Sequence, residues 1–181
     1  MGQAKIRPPV GVDEAQEMAL RSLETRARSE AEIGRDLARR GVDPAVVETV
    51  VARLSAVGLI DDAEFARQWI DQRRGSKGLG AGRLRQELEA RGVAAAVIGA
   101  ALAQTAPGDE EADVALAWAR RRARTLAGVD GIAFQRRLTD QLTRRGFTSS
   151  VVRRVVGQLV GEREEWAAAA EAAQAAPTMP A

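Results

Sequence analysis

The chain has 181 residues, of which 45% are hydrophobic and 29% charged, and its formal net charge is +2. It contains no Cys, His or Tyr, so disulfides are excluded and the usual general base, zinc ligands and thiol nucleophile are missing. Ala, Val and Leu dominate its apolar residues, a composition that favours closely packed helices over a sheet. We therefore expect a protein that acts by binding, with no catalytic residue, cofactor or metal.

No stretch of the sequence approaches the run of about 18 uncharged apolar residues that suggests a membrane span. The first residues, MGQAKIRPPVGVD, also lack the apolar segment of a secretory signal. We therefore expect no contact with a membrane.

The first predicted group of elements is a three-helix repeat at residues 13–60, preceded by a short N-terminal segment at residues 1–12. Its second helix begins at Ser29, which forms a capping-box pattern with Glu32. That helix ends at Gly41, because a helix C-cap needs a left-handed residue and only glycine adopts that conformation at little cost.

A second three-helix repeat is predicted at residues 61–106, and acidic residues stand at its start. Asp61, Asp62 and Glu64 could bind a divalent cation, but a lone carboxylate cluster without a partner ligand is weak evidence for such a site. Capping of a helix N-terminus accounts for Asp61 and Glu64 directly. We therefore favour the helix cap.

Three glycines surround Lys77 in the same repeat, at Gly75, Gly78 and Gly80. The order of a phosphate-binding P-loop, in which Gly-Lys-Ser/Thr closes the run before a helix, is not met. We predict instead a flexible basic linker that reaches toward a partner.

A third repeat is predicted at residues 107–160, followed by an Ala-rich tail at residues 161–181 that extends the last helix for a few turns. Residues 114–160 hold ten Arg against Asp130 and Asp140, a local charge of +8. Such a stretch suits an acidic protein surface or a phosphate backbone. The alternative is a helix face whose arginines are simply solvated.

The three repeats share one segment in register: LARRGV from Leu37, LEARGV from Leu88 and LTRRGF from Leu142, starting 51 and 54 residues apart. An apolar residue stands four positions before each anchor leucine, and the helix after each glycine repeats the same apolar offsets. This pattern predicts an all-α fold of three tandem three-helix repeats that form an elongated, curved array. We expect Gly92 to matter most among the cap glycines, because repeat 2 has two neighbours.

Clustered basic side chains are the candidates for partner contact. The candidates are Arg73, Arg74, Lys77, Arg83, Arg85, Arg120, Arg121, Arg122, Arg124, Arg136, Arg137, Arg144, Arg145, Arg153 and Arg154. Two tryptophans, Trp69 and Trp118, lie on helical apolar stripes, so we predict that they pack in the core rather than stack on bases.

The segment GLIDDAEFA at residues 58–66, followed by Trp69 and Arg73, resembles the most recognisable stretch of the RecX family. The KGLG and RLRQEL segments that follow and the late LTRRGF are also similar to that family. The resemblance covers about residues 15–160.

The resemblance implies a cytoplasmic regulator of the RecA recombinase. RecX proteins are built from tandem three-helix units, bind along the deep groove of the RecA–single-stranded DNA filament, and suppress its ATPase, strand-exchange and coprotease activities in DNA repair and the SOS response. An Arg-rich face suits such a filament, because guanidinium makes paired hydrogen bonds to carboxylate and phosphate. We expect a monomer that also makes weak direct contact with single-stranded DNA.

Two other classes of function fit parts of the pattern. Basic three-helix units are compatible with a direct DNA-binding protein built from helix-turn-helix-like units, although no helix begins with an obvious cluster of base-reading Asn, Gln and Arg. A helical-repeat scaffold for an unrelated partner is the third interpretation. Binding to naked and to RecA-coated single-stranded DNA, at matched salt, would distinguish these functions.

Overall fold

The computed structural model describes residues 10–105 and 108–175, and these ranges form nine α-helices and no strand. The helices are α1 (Val12–Thr25), α2 (Glu30–Arg39), α3 (Pro44–Ala56), α4 (Asp62–Lys77), α5 (Ala81–Arg91), α6 (Ala95–Thr105), α7 (Gly108–Arg124), α8 (Gly131–Arg144) and α9 (Ser149–Ala175). Repeats 1, 2 and 3 take three helices each, in chain order, which confirms the predicted all-α fold of tandem three-helix repeats. Most of the predicted N-terminal segment and the last residues of the tail lie outside the described ranges.

None of the helices in these ranges combines the length and the apolar character needed to cross a membrane.

Polar side chains begin several helices, as their sequence positions predict. The hydroxyl of Ser29 accepts a hydrogen bond from the Glu32 N–H at 3.2 Å. The carboxylate of Asp61 accepts from the N–H groups of Ala63 at 2.8 Å and Glu64 at 3.0 Å. Asp61 is therefore a helix cap, as predicted.

The repeated segment forms the turn between the second and third helix of each repeat. The anchor leucines Leu37, Leu88 and Leu142 are fully buried, and so is the apolar residue four positions before each of them. The glycine four positions after each anchor has a φ of 82°, 87° and 84° in repeats 1, 2 and 3. The predicted left-handed helix caps are confirmed.

The helices form two compact units, and α4 and α5 contribute to both. Of the residues that the structure describes, unit 1 comprises those up to Asp71 together with 85–105, and unit 2 comprises 72–84 together with those from Gly108 onward. One apolar cluster of unit 1 gathers buried side chains of α1, α2 and α3, and one cluster of unit 2 gathers those of α7, α8 and α9.

Within unit 1, the turn at Arg91 and Gly92 packs against the N-terminal end of α2. The Ser29 hydroxyl donates a hydrogen bond to the Arg91 carbonyl at 2.8 Å, and the Arg35 guanidinium donates to the same oxygen at 2.8 Å. A Cβ added at Gly92 would collide with Ala31, so the close approach requires glycine. We call this contact between repeats 1 and 2 joint 1.

Side chains of repeat 2 complete joint 1. The carboxylate of Asp62 accepts a hydrogen bond from the Glu30 N–H at 2.9 Å, and so caps the preceding repeat's second helix. The guanidinium of Arg91 lies 3.7 Å from the centre of the Trp69 ring, whose N–H donates to Glu87 at 3.1 Å. Burial raises the pKa of Asp62 despite the Glu30 hydrogen bond, and nearby carboxylates add to the rise.

Glu32 stabilises joint 1 through ion pairs with Arg26 and Arg91. Burial alone would raise the pKa of Glu32, but a hydrogen bond from Arg26 and the charges of Arg91 and Arg26 outweigh it, helped by a hydrogen bond from the Ser29 backbone. The net effect is a lowered pKa, so the Glu32 carboxylate is ionised and paired at neutral pH.

Within unit 2, the turn after α8 packs against the start of α5 in the same way, forming joint 2. The N–H groups of Gly80 and Gly82 donate to the carbonyls of Arg145 and Gly146, each at 2.9 Å. A Cβ at Gly146 would collide with the Arg83 backbone. Glycine is therefore required at this position both by the close contact and by the positive φ.

The side chains of joint 2 repeat the roles seen in joint 1. The buried carboxylate of Glu111 accepts a hydrogen bond from the Ala81 N–H at 2.8 Å. The Arg145 guanidinium lies 4.1 Å from the centre of the Trp118 ring and donates to the Gly78 carbonyl at 3.3 Å. Trp69 in joint 1 and Trp118 in joint 2 are each half-buried and packed against an arginine.

The predicted flexible linker around Lys77 is wrong. Helix α4 continues through Gly75 to Lys77, and the residues from Gly78 to Gly80 are buried. An added Cβ would lie 3.2 Å from Trp118 at Gly78 and 2.5 Å from the Phe147 backbone nitrogen at Gly80, so these two glycines permit close packing in joint 2 rather than mobility.

Candidate partner-binding surface

Most of the predicted contact residues are accessible to a partner. Eleven of the fifteen basic candidates are exposed and four are half-buried. The exposed ones are Lys77, Arg83, Arg85, Arg120, Arg121, Arg124, Arg136, Arg137, Arg144, Arg153 and Arg154.

The half-buried candidates are Arg73 and Arg74 on the last turns of α4, Arg122 and Arg145. Arg122 donates to the Gln141 side chain at 2.8 Å, which links α7 to α8. The structure thus gives Arg122 and Arg145 internal roles.

Arg145 is held in an environment that disfavours its charge. Burial lowers the pKa of its guanidinium, and the neighbouring charge of Arg121 lowers that pKa further. The Trp118 ring face and the carbonyls of Lys77 and Gly78 at the end of α4 supply the compensating interactions.

Helix α8 presents the clearest shared arginine surface. It buries Phe134, Leu138 and Leu142 on one side and exposes arginines on the other. We define the α8 arginine face as Arg136, Arg137 and Arg144. No carboxylate in the described ranges forms an ion pair with these three, so their charge is directed to solvent or to a partner.

Exposed arginines also occur on α7 and α9. Arg121 and Arg124 lie on the outer side of α7, and Arg153 lies on α9 beside the buried pair Val151 and Val152. Arg120 on α7 differs from its neighbours because it pairs with a carboxylate of α9.

The chemistry available at this surface is electrostatic and hydrogen-bonding. Guanidinium groups bind carboxylate or phosphate oxygens in pairs and do not titrate at physiological pH. In the ranges that the structure describes, no group of three or more Asp, Glu, His or Cys residues is placed to hold a metal ion.

The inter-repeat joints were not predicted from the sequence, although a signal for them exists. The capping carboxylates Asp62 and Glu111 each stand seven residues before the tryptophan of their repeat, Trp69 and Trp118. That spacing places carboxylate and ring on one side of a helix, two turns apart.

These features define an all-helical protein built from three tandem three-helix repeats. Sequence models of the RecX family match all three repeats: the RecX first three-helix domain at residues 15–54, the second at 61–102 and the third at 109–156. The chain belongs to the RecX family.

Curated relatives support the assignment over most of the chain. The regulatory protein RecX of Mycobacterium ulcerans is 38% identical over 157 residues, which cover 86% of this chain and 91% of that protein. The regulatory protein RecX of Mycobacterium avium is 40% identical over 158 residues, which cover 86% of this chain and 91% of that protein.

Solved structures show the same fold. A crystal structure of RecX from Lactobacillus salivarius superposes with a TM-score of 0.76 at 16% identity, covering 82% of this chain and 96% of that one. A second structure, of a regulatory protein RecX, gives a TM-score of 0.73 at 26% identity, covering 80% of this chain and 72% of that one.

Proposed function

We propose that this chain binds the RecA–single-stranded DNA filament and negatively modulates the ATPase, recombinase and coprotease activities of RecA in the cytoplasm, during DNA repair and the SOS response. The observation that carries the proposal is the match of all three repeats to the three RecX domains. Relatives at 36–40% identity are named regulatory proteins, which favours a regulator without catalytic activity of its own.

The arrangement of the arginines supports a contact with a nucleoprotein surface. The exposed candidates occur on several helices, and the α8 arginine face has no ion-pair partner among the described carboxylates. Each exposed contact contributes little alone, but linked contacts act at high effective concentration and together give useful affinity. A monomer can therefore bind a repetitive filament through several weak contacts, including weak contacts with single-stranded DNA.

The test compares two forms of one probe. Fluorescently labelled oligo-dT is titrated with the protein, either naked or coated with the cognate RecA and a non-hydrolysable ATP analogue, at matched salt. We expect tighter binding to the coated strand. In parallel, substoichiometric protein should lower the DNA-dependent ATP hydrolysis of RecA, and an unchanged or raised rate over a full titration would refute negative modulation.

Direct DNA binding is the second candidate, favoured by the unpaired α8 arginine face. It predicts equal or tighter binding to naked oligo-dT, with an affinity that falls steeply as salt rises. The two-probe titration therefore separates the two functions.

A further inference from the structure

The last helix is far longer than its counterparts in the other repeats. Helix α9 has 27 residues, whereas α3 has 13 and α6 has 11. The match to the third RecX domain ends at residue 156. We define the α9 extension as residues 161–175; it contains four Glu and one Arg. Its charge is thus opposite to the +8 of residues 114–160.

The first turn of the α9 extension is held against the third repeat by specific contacts. The carboxylate of Glu162 lies 2.7 Å from the Arg120 guanidinium of α7 and accepts a hydrogen bond from Gln158 at 2.9 Å. The next residue, Arg163, donates to the Val129 carbonyl in the turn between α7 and α8. The extension therefore begins as a packed element of this repeat.

The Glu162–Arg120 pair is accessible from solvent. The side chains of Arg120 and Glu162 are 52% and 42% exposed, so an incoming anion can reach the guanidinium. Hydrogen bonds from Arg120 and Gln158 lower the pKa of Glu162, which keeps the carboxylate ionised at neutral pH. Glu162 occupies one nitrogen of the Arg120 guanidinium, so a phosphate that binds Arg120 through this nitrogen competes with the carboxylate for it.

We infer that the α9 extension is an autoinhibitory element in which Glu162 occupies Arg120 and competes with a phosphate-bearing partner for it. This inference rests on the proposed function in so far as the partner is the RecA–single-stranded DNA filament. The competition weakens binding without blocking it, since the α8 arginine face remains available.

The test uses two variants that change the net charge equally. Glu162→Gln removes the carboxylate that pairs with Arg120. Glu165→Gln, the control, removes an exposed carboxylate of the same extension that has no ion-pair partner among the described residues. Binding is measured to naked and to RecA-coated oligo-dT over a range of salt, with melting temperature as the folding check.

Glu162→Gln should bind oligo-dT about 1.5- to 5-fold more tightly than Glu165→Gln, the range expected for one exposed ion pair. Its plot of log affinity against log salt should also be steeper by about 0.7, the effect of one additional phosphate contact on a single strand. In an Arg120→Ser background, the difference between the two variants should disappear.

Equal affinities of the two variants for both probes would overturn the inference while leaving RecA binding intact. A difference that persists in the Arg120→Ser background would also overturn it, because the effect would not pass through Arg120. Loss of preference for the coated strand, with the difference on naked oligo-dT retained, would refute the proposed function but support the competition.

Discussion

Substitution of the cap glycines by alanine should separate two costs, backbone strain at a positive φ and steric overlap with a neighbouring repeat. The repeats differ in whether the second cost is present. Gly41 has a φ of +82° and no heavy atom within 4 Å of an added Cβ, so Gly41→Ala adds backbone strain alone, about 1–2 kcal/mol. Gly92 has a φ of +87°, and an added Cβ also collides with Ala31. Overpacking of this kind adds about 1–3 kcal/mol, so Gly92→Ala should cost about 2–5 kcal/mol.

The measurement is thermal and urea unfolding followed by helical circular dichroism. The extra cost should make Gly92→Ala melt about 2–12 °C below Gly41→Ala, given a shift of about 2–4 °C per kcal/mol for a chain of this size. Gly58→Ala is the matched control, because Gly58 has a φ of +71° and open space around its Cβ position. Equal destabilisation by all three variants would mean that the Gly92 turn does not pack on α2, and joint 1 would have to be discarded.

Three further predictions concern charged side chains. Because the folded-state pKa of Glu32 lies below its unfolded value of about 4, its contribution to stability is present above that pH and is lost as pH falls through the lowered pKa. The free energy of unfolding should therefore fall less for Glu32→Gln than for wild type as pH is lowered from 5, in urea unfolding repeated at a series of pH values. Parallel plots of this free energy against pH for the two proteins would contradict the prediction. Arg145→Ala should lower the melting temperature, because loss of its contacts with the Trp118 ring and the carbonyls costs about 1–3 kcal/mol. Arg144→Ala is the control at an exposed neighbour and should leave the melting temperature unchanged. Equal melting temperatures of the two variants would exclude a structural role for Arg145. Arg136→Ser with Arg137→Ser should leave the melting temperature unchanged and weaken filament binding about 2- to 25-fold, and undiminished binding would show that the α8 arginine face is only solvated.

The helices and their caps could be predicted because their signals are local in sequence. Anchor leucines such as Leu88 recur with apolar partners at helical spacing, and a cap such as Ser29 or Asp61 acts on N–H groups within three residues. Periodicity and capping chemistry are visible without knowing what a helix packs against. The same reasoning found the left-handed glycines.

The joints leave only an indirect signal in the sequence, the seven-residue spacing from carboxylate to tryptophan, because their contacts span tens of residues. The bond from Ser29 to the Arg91 carbonyl joins positions 62 residues apart, and Arg145 reaches Gly78 across 67. A glycine that permits close packing looks the same in sequence as one that confers mobility, so the sequence alone predicts a linker around Gly78. The sequence also ranked Gly92 above Gly146, although the structure gives both a close inter-repeat contact.

The recurring Arg-Gly pair illustrates why counts of arginine overstate a binding surface. In repeats 2 and 3 the arginine of this pair stacks on a tryptophan of its own repeat, whereas in repeat 1 Arg40 pairs with Asp36 at 3.0 Å. Of the ten arginines in residues 114–160, Arg120, Arg122, Arg145 and Arg154 are engaged within the chain. We expect arginines in the joints to affect a partner only indirectly, because they fix the helices that carry the exposed ones. Loss of a joint arginine should therefore impair folding before binding, whereas loss of an α8 arginine should impair binding alone.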